Sequence, residues 1–476
     1  MRLHLSKTSR VYHTDQRGSA FLLTLFFSAM FLMMFGAVLS FIVTQHKAVQ
    51  HEVWKAQALH AAEGGVQYYR WHLSHNPTEF TEDTGARTFL DSDGQTFAPY
   101  TLTVTEPAVG STIVRITANA TPEANTNIHA IVSSLYGKPS LAHYAFLTNS
   151  NVWFGDTENI SGEIHSNGGI RMDGTGDSVI SSEQLTYICG SEHGCSDEEK
   201  DGVWGTGQIP ELWSYPTEHI DFDGISAQLS DVVDEASVGG IDLPDSGALG
   251  YYIVFSPDDT LTVNTVTSLY SPVYGYDGTA WVYESIDKKT WTPLSGYTNI
   301  PIPENGIIHV ADDTWVSGSV SSSLLLYASR DSSSAKGPAS IYIQESITYD
   351  SAASDPSLGL ISQQDILIPL RSEDNLSIDA ALVAIGGHAF RYYYPASSSE
   401  PYKTYALRDR IETYGTIITN TLWTWSWVSC DTCPVVSGYS ENQITYDPNL
   451  RYSPPPGFPT QDEYAFISWE EQEINQ

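Results

Sequence analysis

Between Ser19 and Val43 the chain runs 25 residues without a charged side chain. A helix of about 20 apolar residues crosses a bilayer. The apolar core of a secretory signal is only ~7–15 residues long and ends at a small-residue cleavage site. Leu, Phe and Met dominate the run, Gly36 is its sole glycine and it holds no proline, so nothing interrupts a helix. Arg2, Lys7, Arg10 and Arg17 precede it, opposed by Asp15 alone. A positive flank stays on the cytoplasmic side and sends the rest of the chain outward. The expectation is a single-pass inner-membrane protein, N-terminus in and large C-terminal body out, with residues 1–18 as a basic leader.

The helical pattern continues past the apolar run. Val49, Val53, Ala56, Leu59, Ala62, Val66, Tyr69 and Leu73 recur at spacings of three and four. Lys47, Gln50, Glu52, Lys55, Gln57 and Gln67 fall on the opposite face, Gly64-Gly65 is a soft spot, and Asn76-Pro77 is a stop. One helix over residues 19–76 would be about 80 Å long. Three alternating segments follow, 101–106, 112–120 and 127–136, separated by Pro107…Gly110 and Pro122…Asn125. They predict an antiparallel meander within 98–137 whose apolar face the helix stripe covers.

These residues resemble a known family. Gln16-Arg17-Gly18 closing a basic leader, the apolar run from Ser19, and ALHAAEGGVQYY from Ala58 to Tyr69 are similar to the PilX-type minor pilins among type IV pilin-like proteins. The likeness covers about residues 16–75. It implies cleavage by a prepilin peptidase between Gly18 and Ser19, and assembly with other pilin-like subunits through a helix that includes Glu63, Gly64 and Gly65. The implied function is that of a structural subunit of a type IV pilus or related secretion filament, not an enzyme. One position departs from the pattern: major pilins carry a glutamate four residues after the new N-terminus, where this chain has Leu23. That departure points to a tip or initiation position. The alternative is an unprocessed membrane-anchored surface adhesin or carbohydrate-binding protein, with its binding in residues 141–476.

Twenty-two basic residues against 57 acidic ones leave a net charge of −35. Nucleic-acid binding requires basic patches, so that class is excluded. Solubility outside the cell explains the charge. Calcium is the sharper reading, with Asp91-Ser92-Asp93-Gly94 and Asp173-Gly174-Thr175-Gly176-Asp177 as candidates, but neither completes a twelve-residue loop with a distal glutamate. No cofactor or metal is otherwise expected. The four cysteines form two close pairs, Cys189/Cys195 and Cys430/Cys433. Local disulfides are the expectation for an exported body. A four-cysteine zinc site and a redox-active Cys-x-x-Cys are the rivals; the first lacks zinc-ligand spacing and the second lacks a thioredoxin-like context.

From Leu141 onward short apolar strands alternate with Gly, Asn, Asp and Ser. Strands begin at Leu324, Ile341, Leu358 and Leu376, at intervals of 17, 17 and 18 residues. That beat suggests a parallel β-solenoid repeating one strand per coil, with a first part at 141–201 and a continuation at 306–437. An ordinary β-sandwich is the competing architecture. An α+β insertion is expected at 202–305, with a helix placing Ile225, Leu229, Val232 and Ala236 on one face. The segment 438–476 reads as a proline-rich strap whose end frays beyond Trp469.

Catalytic motifs are missing: there is no Gly-x-Ser-x-Gly, His-Glu-x-x-His or phosphate-cradling loop. His165 reads as a turn histidine, and the adjacent pairs Asp258-Asp259 and Asp312-Asp313 would point to opposite faces of strands. Polysaccharide cleavage has only fold analogy behind it. Trp423, Trp425 and Trp427 alternate with Thr424 and Ser426, so on one strand all three indoles would share a face. Exposed, that face is a platform for a sugar or partner protein; buried, it is core.

Overall fold

The computed structural model describes residues 19–476, apart from 83, 91, 92, 95, 109, 208, 209, 351–354, 431, 432, 462 and 476. Two compact units divide the chain. One holds residues up to 104 with 116–134 and 469–476; the other holds 105–115 and 135–468.

Helix α1 runs unbroken over Ser19–His75, 57 residues, and ends just before Asn76-Pro77. Strands β1 (Gly85–Leu90), β2 (Thr96–Thr105), β3 (Ile113–Ala120) and β4 (Ile128–Gly137) follow and hydrogen-bond in that order, β1 antiparallel to β2. Burial alternates along β4 from Ile128 to Tyr136, as a sheet with one covered face requires. A fifth strand, Ala465–Asn475, joins beside β4, so the expected fraying beyond Trp469 is overturned: pairing satisfies the backbone there.

The large body is built on parallel ladders. In the first, the aligned positions are Ile241, Ile308, Leu326, Leu360, Leu382, Ile417, Phe146, Ile164, Ile180 and Trp213. Those from Ile308 to Ile180 are fully buried in one continuous core. Their neighbours Leu325, Ile361, Ala381, Ile418 and Leu147 point the other way and pack beneath α2 (Phe222–Gln228) and α3 (Ser230–Gly239) through Ile225, Leu229, Val232 and Ala236. Burial on both faces explains why Leu324–Ala328 reads LLLYA with little alternation. A second ladder aligns Tyr252, Trp315, Tyr342, Leu367, Phe390 and Thr424. A third aligns Gly318, Ile347, Ile378, Thr413, Ile444, Ile160 and Gly176.

Several expectations change here. The 17-residue beat does not repeat one ladder: Leu324 pairs with Leu358, while Ile341 pairs with Thr314 and Ile366 in the second ladder. Successive strands therefore belong to different ladders. The order along the first ladder is also not chain order, since Ile417 pairs with Phe146. The segment 202–305 supplies Ile241–Leu243 and Tyr251–Ser256 to these ladders, and α2 and α3 carry the chain from the Trp213 end of the first ladder back to its Ile241 end. The segment from 438 likewise begins inside the strand Val435–Tyr446.

Candidate functional site

Every residue of α1 from Ser19 to Gln50 is exposed. Seventeen large apolar side chains between Phe21 and Val43, Leu23 among them at 56% exposure, lie on this stretch. Each costs about 1.5–3 kcal/mol when left in water, so the stretch stores a penalty of roughly tens of kcal/mol that lipid or a partner removes. The helix is long and apolar enough to cross a bilayer.

Burial begins at Ala58 and continues through Ala61, Ala62, Gly65, Val66, Tyr69, His72 and Leu73. The stripe therefore starts later than expected: Val49 and Val53 are 59% and 50% exposed, because by helical rotation they stand on the side away from Ala58, Gly65 and Tyr69. Gly64-Gly65 is not a break but a point of close approach. A Cβ at Gly64 would stand 2.6 Å from the Phe89 ring, and one at Gly65 would stand 2.8 Å from the Tyr100 ring. Glu63 Oε2 accepts from His60 Nδ1 across one turn, at 3.0 Å. Gly18 lies outside the described residues, and Ser19 opens the helix.

The tryptophan row divides. The chain bends at Trp425 between the strands Trp423–Thr424 and Ser426–Val428, so the strict alternation fails. Trp423 and Trp425 are buried, with Trp423 against Phe146 and Phe154 at 5.2 and 5.4 Å between ring centres. Trp427 turns to another side, its Nε1 donating to the Arg391 carbonyl at 2.8 Å and its ring 6.1 Å from both Tyr276 and Tyr393. The three indoles do not form a common platform.

Between Trp423 and Trp427 opens a cavity of about 130 Å³, walled also by Glu158, His193, Asp156 and Ser426. Glu158 begins the strand Glu158–Ser161; its Oε1 accepts from Asn442 Nδ2 at 3.1 Å and its Oε2 has no hydrogen-bond partner. Burial pushes this carboxyl up to about 7, against the Asn442 hydrogen bond and with help from Asp156. His193 Nδ1 and Trp423 Nε1 likewise make no hydrogen bond, His193 Nδ1 standing 4.0 Å from the Glu192 carboxylate, and burial lowers the His193 ring. Both disulfides form, Cys189–Cys195 and Cys430–Cys433. They border this cavity: Glu192 and His193 sit inside the first loop, and Val428 stands two residues before the second.

Other expected residues take structural roles. His165 is on the strand Ile164–Ser166, not in a turn, with Nδ1 3.0 Å from Ser181 Oγ and Nε2 3.2 Å from Asn167 Oδ1. Asp173 accepts from Arg171, Trp153 and Thr206, and Asp177 from Ser161 and Gly162. Their oxygens are occupied by protein donors, and no cluster of metal-ligating side chains occurs among the described residues. Asp91 and Ser92 of the other calcium candidate lie outside the described residues. Asp312 and Asp313 do share a site: both contact the Arg330 guanidinium, at 2.5 and 2.9 Å. They precede the strand Thr314–Val320, where a bend frees them from two-residue alternation.

Glu158, His193 and Tyr393 were not singled out by motif. The sequence signal for their aromatic neighbours is VYGYDGTAWVYE, in which an Asp-Gly turn is flanked by aromatics two residues apart on each strand.

No protein-family model and no curated protein matches this sequence. Among solved structures, the competence-associated pilin ComZ from Thermus thermophilus aligns over 89% of this chain and 98% of its own, at 11% identity and a TM-score of 0.29. That likeness is too distant to define either fold or function.

Proposed function

We propose that this chain is a membrane-anchored, pilin-like structural subunit rather than an enzyme. The observation that carries the reading is α1: one unbroken helix, apolar and exposed through its first half, and docked by small residues through its second. Such a helix is anchor and assembly element at once, embedded in lipid or against the helices of other pilin-like subunits. The PilX-type resemblance supplies the finer reading: a basic leader 1–18 removed by a prepilin peptidase, Ser19 as the mature terminus, and a β-meander at 98–137. The three parallel ladders support reading 141–201 and 306–437 as a β-solenoid, with 202–305 as a segment that both inserts into it and returns along it.

Leu23 supports a tip or initiation position. In related filaments a glutamate there neutralises a neighbour's terminal ammonium inside an apolar core, where an unpaired charge costs several kcal/mol. A subunit without that carboxylate is a poor repeating unit. The exposed rings of Tyr274, Trp281 and Tyr283 favour the second reading, an unprocessed anchored adhesin.

The mature N-terminus separates the two. Mass spectrometry of protein from cells with an active prepilin peptidase should find a chain beginning at Ser19, and Gly18→Trp should leave the precursor uncut. A membrane-bound product that still begins at Met1 rejects processing and leaves the adhesin.

A further inference from the structure

The hairpin of Val273–Tyr276 and Trp281–Glu284 carries its aromatics in facing pairs. Tyr274 lies opposite Tyr283 with ring centres 4.4 Å apart, and Tyr276 lies opposite Trp281 at 5.6 Å. Trp281 reaches Tyr393 at 5.9 Å, and Tyr276 and Tyr393 each reach Trp427. These rings are not core: Tyr274, Trp281 and Tyr283 are 55%, 55% and 58% exposed. Large aromatic rings left in water side by side on one hairpin are a binding surface in waiting.

The run of rings ends at Trp427, which also walls the cavity containing Glu158. At about 130 Å³ that cavity is close to the size of an engineered cavity of ~150 Å³ that admits one benzene ring. Its walls combine indoles with hydroxyls and carboxyls, and two of its side chains, each more than nine-tenths buried, keep a polar atom without a hydrogen bond, Glu158 and Trp423, while His193 Nδ1 makes no hydrogen bond and has only the Glu192 carboxylate 4.0 Å away. Among the described residues no Lys or Arg lines either the cavity or the adjoining aromatic pocket, and Arg171, which stacks on Trp153 and donates to the His193 carbonyl, is neutralised by Asp173. With Asp156 and Glu192 on the cavity wall, an anionic ligand is repelled. Aromatic faces meeting a polar, uncharged-to-acidic pocket suit a ligand with apolar C–H faces and hydroxyl edges.

We propose that the aromatic surface of Tyr274, Trp281, Tyr276, Tyr393 and Trp427, with the cavity behind Trp427, binds a neutral glycan chain. The rings stack on successive sugar faces, and the cavity takes one sugar unit whose hydroxyls meet Glu158, His193 and Trp423. Burial raises the Glu158 carboxyl to about 7, so near neutrality it donates as well as accepts. The Cys189–Cys195 disulfide closes the loop that carries His193 and holds it in place beforehand, which lowers the ordering cost of binding. This assignment does not depend on α1 being an anchor or on processing at Gly18.

The test uses the full chain in detergent micelles against an immobilised panel of neutral oligosaccharides of glucose, galactose, mannose and N-acetylglucosamine. Heparin fragments and spermidine serve as the anionic and cationic comparisons. The expected result is binding of at least one neutral oligosaccharide that persists at high salt, with a change in tryptophan fluorescence. Trp281→Ala should weaken it roughly tenfold or more with the melting temperature unchanged, because that ring is largely exposed. Trp427→Ala should abolish it, and if that half-buried substitution unfolds the body, Trp281→Ala alone decides. Failure of every neutral oligosaccharide to bind at millimolar concentration overturns the proposal. So does binding that Trp281→Ala leaves intact, or binding confined to spermidine or heparin.

Discussion

Glu158 makes a prediction about pH that can be worked through in sign and size. Its carboxyl is 8% exposed, and burial moves it from 4.5 up to about 7, with the Asn442 hydrogen bond opposing and the Asp156 charge adding. Unfolded, the group loses its proton near 4.5; folded, it keeps the proton until about 7. Between those values the folded state binds more protons, so stability falls as pH rises, by about 1.4 kcal/mol per pH unit. The accumulated cost is about 3 kcal/mol and is complete above pH 7. Glu158→Gln keeps the shape and an acceptor for Asn442 Nδ2 but cannot ionise. Relative to wild type it should therefore gain about 3 kcal/mol between pH 4.5 and pH 8, whatever its stability at the acid end. Urea unfolding of the two proteins at several pH values measures this gap, and other titrating groups cancel in the difference. For a body of this size the gain is worth roughly 4 °C in melting temperature. A gap that stays constant from pH 5 to pH 8 refutes the reasoning, because Glu158 would then ionise as freely folded as unfolded.

Asp312 has the opposite sign. Although burial pushes it up, hydrogen bonds from Arg330 and Ser246 hold it below 3.8, so its stabilisation is present above that value and lost as pH falls through the lower folded one. Asp312→Ala leaves Arg330 with Asp313 as its one carboxylate, beside the Gly337 and Pro338 carbonyls, and should cost about 3 kcal/mol at neutral pH by urea unfolding, the low end for a broken buried pair. At the helix, Gly65→Ala places a Cβ 2.8 Å from the Tyr100 ring and 3.2 Å from Ala118. Overpacking of about 1–3 kcal/mol should outweigh the gain of about 1 kcal/mol in helix propensity and lower the melting temperature seen by circular dichroism. Gly36→Ala, which meets nothing within 4 Å, should show no such loss.

What could be read from the sequence was local, and what could not was decided by partners far along the chain. Helix α1 was legible from Ser19 to its stop at Asn76-Pro77, because a charge-free run and a three-four periodicity are properties of consecutive residues. The disulfides were legible for the same reason, with pairing separations of six and three residues. The start of the buried stripe was not: Val49 stands about two and a half turns before Ala58, hence on the opposite side of the helix, and a run of three-four spacings drifts from one face to the other without marking where the covered face begins. The parallel ladders show the limit most clearly. Pairing Ile417 with Phe146 leaves no mark in either strand, and the 17-residue beat is an average over strands that alternate between ladders. The tryptophan row failed at one bend, since alternation holds only while the strand does, and Trp425 ends it. Glu158 was silent altogether. Its chemistry comes from burial beside Asn442, 284 residues away, and from a cavity closed by strands and by a loop that no motif connects. A solvent-exposed acid in ENIS and a buried, half-protonated one have the same letters; the environment that makes Glu158 reactive toward protons near neutrality is assembled only when the distant strands meet.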